Sequence, residues 1–175
     1  MISFPDKKYT IIYADPPWRY RNKNTGGSLV SGADHKYSTM SLDEICNLPI
    51  HKIRASNSVL FLWVTVPLLL EGFIVMDAWG FKYKTMLTWV KTNRLGMGFW
   101  FRGQTEHLLL GVRGKVKAFR SQEPNVIQCR PEKHSKKPDA FRALIERATA
   151  DMGGERIELF ARQRTPGWDV WGNEV

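Results

Sequence analysis

Six residues, "YTIIYA" (9 to 14), run straight into "DPPW" (15 to 18), and this junction restricts the architecture more than any other stretch. The β-branched and aromatic run predicts a buried strand. Proline has no N–H to give to a sheet ladder, so the strand must stop at Asp15. Each proline also drives the residue before it toward extended backbone, which stiffens residues 15 to 18. A stiff acidic turn at the carboxyl end of a buried strand is where an open α/β sheet places its chemistry.

The remaining pattern alternates. "SLDEICNL" (41 to 48) predicts a short helix, with Ser41 and Glu44 in capping-box register. "SVLFLWVT" (58 to 65) reads as a second buried strand, and Thr65 is expected to cap the helix "VPLLLEGFIVMDAW" that follows, with Gly80 just past its end. Pro67 and Glu71 interrupt the long apolar run here, so it predicts a strand and a helix, not a membrane span. Further strands are expected at 82 to 91, 106 to 114, within 113 to 137, and at 156 to 162. The last of these is read as the final strand, with residues 165 to 175 as a terminal loop. "PDAFRALIERATAD" predicts an amphipathic helix starting at Pro138. Strands alternating with helices give a single α/β domain over residues 1 to 175, with a largely parallel sheet and an antiparallel pair around 82 to 114.

Charge narrows the partner. The chain carries 26 Lys and Arg against 17 Asp and Glu, a net charge of +9, which makes a polyanion the natural partner and nucleic acid a better one than membrane. Eight of the basic residues fall between Arg113 and Lys137, where only two acids occur. Lys115, Lys117 and Arg120 in that segment are read as phosphate contacts; a solvated face is the other reading. The two cysteines, Cys46 and Cys129, are far apart and outside any CxxC, which points to a reducing compartment and away from disulfide or zinc scaffolds. The histidines lack metal-ligand spacing, so no metal is expected. The start "MISFPDKKY" has no apolar stretch of the kind a signal peptide needs.

The chemistry that "DPPW" fits is amine activation. The exocyclic amine of adenine is a poor nucleophile because its lone pair is delocalised into the ring. Acceptors that hold both amine hydrogens turn nitrogen density toward an electrophile. Asp15 supplies a carboxylate and Pro16 a carbonyl, and neither Pro16 nor Pro17 presents a competing N–H. Trp18 offers a face on which a base can stack, or a core aromatic. The arrangement works by electrostatic preorganisation and positioning.

On these residues the chain resembles the MT-A family of N6-adenine methyltransferases. The similarity runs through "DPPW", "KYSTMS" (36 to 41), "LFLWVT" (60 to 65), "WVKTN" (89 to 93), "TEHLLLGVRG" (105 to 114), "SKKPDAFRALIER" (135 to 147) and "RIELFARQRTPGWDVWGNE" (156 to 174). The resemblance implies a Rossmann-like methyltransferase fold, circularly permuted, with the catalytic strand early and the cofactor strand last. It implies S-adenosyl-L-methionine as methyl donor and adenine in nucleic acid as substrate, DNA favoured over RNA, in the cytoplasm of a bacterial or phage-infected cell. A catalytically silent nucleic-acid-binding subunit is the alternative from another class, and the intact "DPPW" argues against it. Recognition would come from the loops at 19 to 40, 92 to 104 and 115 to 137, from a homodimer, or from a partner subunit.

The same resemblance assigns Asp15, Lys137, Glu158, Arg162, Asn173 and Glu174 to the cofactor. Lys137 would meet the methionine carboxylate, although a lysine in a basic cluster also suits a phosphate. Glu158 interrupts an apolar strand, which fits either a cofactor cleft or a polar sheet face. Tyr37 resembles a tyrosine on a loop over the catalytic pocket, and an ordinary loop tyrosine is the competing reading. Trp63 reads as core; Glu106 and His107 begin a strand, and the histidine reads as structural. One departure is visible: Gln163, Arg164 and Thr165 stand where eukaryotic catalytic subunits carry proline, histidine and asparagine.

Overall fold

The structure is a computed structural model, and it describes residues 3–20, 39–92, 95–96, 100–131 and 136–175. Tyr37 lies outside the described residues. Seven strands, β1 (Tyr9–Ala14), β2 (Arg54–Thr65), β3 (Lys82–Lys91), β4 (Thr105–Arg113), β5 (Val126–Cys129), β6 (Arg156–Leu159) and β7 (Asp169–Trp171), form one sheet in the order β5-β3-β4-β2-β1-β6-β7. β1 is central, parallel to β2 on one side and to β6 on the other. β4 is antiparallel to both of its neighbours, β2 and β3, so it alone runs against the other six.

Helices cover both faces. On one side α1 (Leu42–Cys46) and α2 (Leu69–Ala78) pack over Ile12, Ala14, Leu60, Leu62 and Leu109. On the other α3 (Asp139–Ala148) lays Phe141, Leu144 and Ile145 against Ile11, Tyr13, Phe61 and Trp63. From Ile11 to Ala14 alternate residues of β1 thus feed two separate cores, as the two-residue repeat of a strand requires, while the register shift after Tyr9 puts that ring with Ile12 and Ala14. Burial on both faces explains why β1 and β2 read as continuous apolar runs.

The capping box forms as expected: Ser41 N–H donates to Glu44 Oε2 at 2.7 Å, and Glu44 N–H donates to Ser41 Oγ at 3.2 Å. Thr65 does not cap with its side chain. A 3₁₀ turn over Val66–Leu68 precedes α2, and the Thr65 hydroxyl bonds Tyr20 Oη at 2.7 Å instead. Two strand ends also differ from expectation. Phe160, at φ +61°, breaks the β6 ladder after Leu159. The segment read as a terminal loop contains β7, so β6 is not the last strand. Its three residues are too short for alternation to reveal, and they lie among turn formers.

Candidate active site

Six parallel strands bring their carboxyl ends to one edge of the sheet, and the reversed strand β4 brings its amino end there. Asp15 follows β1 directly, Lys91 ends β3, Glu106 begins β4, and Glu158 lies near the end of β6. Lys137 precedes α3 and Arg142 lies in its first turns, so that helix presents two cations to the carboxylates.

Lys137 is the hinge of the cluster. Its Nζ is 3.1 Å from Asp15 Oδ1 and 3.0 Å from Glu106 Oε2. Glu106 Oε1 in turn meets Lys91 Nζ at 2.5 Å. Arg142 pairs with Glu158 at 2.6 Å. Below these ions sit two aromatic faces, with Lys137 Nζ 5.4 Å from the Trp63 ring and the Arg142 guanidinium 5.9 Å from the Tyr13 ring. Trp63 Nε1–H donates to Tyr13 Oη at 2.7 Å, which locks the two rings together. The six charges balance, three against three, as a partly dehydrated network requires.

Burial is deep enough to move protonation. The side chains of Lys137, Asp15 and Glu106 are only 15%, 21% and 13% exposed. Burial raises the Asp15 carboxyl above its ordinary range, assisted by the Glu106 charge and opposed by Lys137. Glu106 is also pushed up by burial, but Lys137 and Lys91 outweigh that and hold it below the usual carboxylate range. Burial alone would lower Lys137, yet Asp15 and Glu106 together keep it raised, hence charged. For Glu158, burial prevails over Arg142 and the carboxyl is raised.

The proline turn is stitched from both sides. Trp18 N–H donates to Pro16 O at 2.8 Å, and Met40 N–H donates to Pro17 O at 2.8 Å. Pro16 O keeps one lone pair for a further donor. The half-buried Trp18 indole packs against the α1–α2 core, and its Nε1–H donates to Trp63 O at 3.0 Å. Its visible duty is to hold the turn against β2.

A cleft beside Asp15 is lined by Tyr13, Lys137, Arg142, Glu158, Phe160 and Arg162. Phe160 adopts the left-handed conformation that non-glycine residues seldom take, and such strain concentrates at functional sites. Arg162 Nε lies 3.7 Å from Glu174 Oε1, which draws the end of the chain to the cleft's rim beside exposed Asn173. Gly172 makes this return practicable, because a Cβ there would sit 2.5 Å from Ala161 O.

Asp15, Lys137, Glu158 and Arg162 therefore converge, with Glu174 paired to Arg162 at the margin. Lys115, Lys117 and Arg120 do not join them. Lys115 follows β4, and its N–H donates to Asn57 Oδ1 near the start of β2, roughly 25 Å along the strand from Glu106. Arg120 lies 3.8 Å from Asp151, beyond α3. His107 is structural as read, its Nδ1 3.2 Å from Thr88 Oγ1, and Trp63 is fully buried. Sequence reasoning missed Lys91, Glu106 and Arg142 as members of the site. The only local signal was an acid opening an apolar strand, which is equally common at solvated strand ends. Among the described residues no group of three or more His, Cys, Asp or Glu could hold a metal.

A partly buried acid on a proline turn, clamped by a lysine at the crest of a doubly covered sheet, marks a Rossmann-like methyltransferase. The chain belongs to the MT-A70 family, whose model matches residues 9–174. It is 34% identical over 188 residues to the type II methyltransferase M.MunI of Mycoplasma sp, covering 98% of this chain and 79% of that protein. It is 31% identical to the human N(6)-adenosine-methyltransferase catalytic subunit METTL3 and 33% to the human N(6)-adenine-specific methyltransferase METTL4. The matches take in 96% and 97% of this chain but only 28% and 38% of those longer proteins.

Proposed function

We propose that this chain methylates the N6 amine of adenine in nucleic acid, with DNA favoured as substrate. The observation that carries the reading is the Asp15 carboxylate, 21% exposed at the cleft and held by Lys137 at 3.1 Å. DNA is favoured because the chain spans most of M.MunI, a type II methyltransferase, and only a fraction of the longer adenosine methyltransferases. RNA is the alternative, since adenosine, the word in the latter names, is the ribonucleoside.

The cleft's donor set suits S-adenosylmethionine, which would supply an electrophilic methyl group. Lys137 and Arg162 suit a carboxylate, and Glu158 suits hydroxyl or ammonium donors. Asn173, beside Glu174, offers an amide to an adenine edge. β1 and β6 are parallel neighbours although they lie near opposite ends of the chain, an adjacency that fits a permuted order with the catalytic strand early.

Asp15 and Pro16 O accept the two amine hydrogens, which holds the lone pair toward the methyl donor. The turn's rigidity fixes both acceptors before substrate arrives, so little reorganisation accompanies reaction. Lys137 works against the rise that burial gives Asp15 and so favours its charged form, and Glu106 and Lys91 keep Lys137 in place. After transfer the nitrogen must shed a proton. Asp15, with its raised affinity for one, is placed to take it. Incubation with labelled cofactor and DNA, RNA or adenosine in separate reactions, followed by nucleoside analysis, tests the reading. It predicts N6-methyladenine and is overturned by label confined to cytosine or by no transfer.

A further inference from the structure

Trp100 and Phe101 are 95% and 90% exposed, whereas Trp63, Trp79, Trp89, Trp168 and Trp171 are all buried and Trp18 is half-buried. Large rings left in water next to each other mark a contact surface. Their place in the fold says what they contact. They lie on the connection from β3 to β4, whose base continues the ladder: Lys91 N–H donates to Gln104 O at 2.8 Å, and Gly96 N–H to Gly103 O at 3.0 Å. The connection thus rises from Lys91 and Glu106, the paired residues of the active-site network. Trp100 is six residues from Glu106, at most roughly 20 Å of extended chain.

Charge identifies the partner. Residues 92 to 105 include Arg94 and Arg102 and contain no acid. Two adjacent rings followed by Arg102, on a stretch of sequence that carries no acid, match a phosphodiester chain with bases. The site's depth sets the task. In a duplex, N6 of adenine is hydrogen-bonded to its partner base inside the stack, and the partly buried Asp15 cannot reach it there. The adenine must leave the stack, and the gap it leaves favours collapse back to the paired state unless something fills it.

We propose that Trp100 and Phe101 form an aromatic wedge that enters the base stack beside the target adenine and holds the duplex open during methylation. This rests on the methyltransferase reading above. The test is a Trp100→Ala/Phe101→Ala double variant, assayed for kcat/KM on three substrates of one sequence: a fully paired duplex, the same duplex with the target adenine opposite an abasic site, and the single strand. DNA and RNA versions are both run. The variant should lose about tenfold or more on the paired duplex, the scale of one lost stacking contact, and stay within about twofold on the other two. 2-Aminopurine at the target position should brighten with the wild-type protein on the paired duplex and stay dim with the variant. Trp100→Phe, which keeps a ring, should retain most duplex activity. Both rings are in water, so the variant's melting temperature should match the wild type.

Equal activity of variant and wild type on all three substrates overturns the wedge. So does an equal loss on all three accompanied by a change in sedimenting mass, which would make the patch a contact between protein subunits. A wild-type protein that methylates adenine in none of the arms overturns the methyltransferase reading itself, and the wedge with it.

Discussion

Asp15 faces two opposed demands. In the proposed reaction it must be ionised to draw the amine hydrogens, yet burial raises its proton affinity. Lys137, 3.1 Å away, offsets part of that rise by favouring the charged form. Removing a nearby cation raises the pKa of an acid, so the acid limb of kcat/KM against pH should move to higher pH in Lys137→Met. A limb that stays in place, or moves to lower pH, would separate Lys137 from the protonation of Asp15. Asp15→Asn keeps an acceptor but loses the charge, and turnover should fall about a hundredfold or more while circular dichroism is unchanged. Trp18 has a divided role, since its ring packs on the core and its N–H is bonded to Trp63 O. Trp18→Ala should therefore destabilise the fold by about 2 kcal/mol in denaturant titration, from lost burial and a lost bond. If stability is unchanged while nucleic-acid binding falls, the ring serves substrate alone.

At the scale of elements, apolar runs bounded by proline and glycine made most strands readable. β1 and β3 have the expected limits, because residues 9 to 14 and 82 to 91 carry their own β-branched and aromatic signal. What escaped was set by contacts remote in sequence. β7 exists because Ile157, Glu158 and Leu159 offer it a partner, and β2 extends back to Arg54 because β1 and its surroundings hold the edge. Gly80 illustrates a local rule that held. It follows α2 at φ +76°, and a side chain there would also strike the Arg54 guanidinium. Gly80→Ala should cost about 1–2 kcal/mol in the same titration. The basic segment gave charge without place. Lys115 and its neighbours lie far down β4 from Glu106, so they can touch only nucleic acid that extends well past the target base. Reversing Lys115, Lys117 and Arg120 to glutamate should flatten the salt dependence of binding for long substrates and leave short ones unaffected. An equal effect on both lengths would contradict that placement.

For the whole molecule, the sheet converts separate sequence signals into one site. "DPPW" was legible from its own local pattern, and Lys137 only through the family resemblance of its segment. Glu106 and Arg142 were not: the antiparallel pair around 82 to 114 was expected and forms, but nothing in their own neighbourhoods says that β4 also runs antiparallel to β2 or that α3 crosses the end of β6. Only the strand order, with β4 antiparallel between two strands of the opposite direction, delivers an acid from a strand's start to an edge made of strand ends. The +9 charge is a property of the same scale, shaping encounter with a polyanion and not the fold. The most direct measurement of the central claim is nucleoside mass spectrometry on nucleic acid incubated with isotopically labelled S-adenosylmethionine and either the wild-type protein or Asp15→Asn. The account predicts labelled N6-methyladenine with the wild type and a loss of about a hundredfold or more in the variant. Label in cytosine alone, or equal adenine labelling by the two proteins, would contradict it.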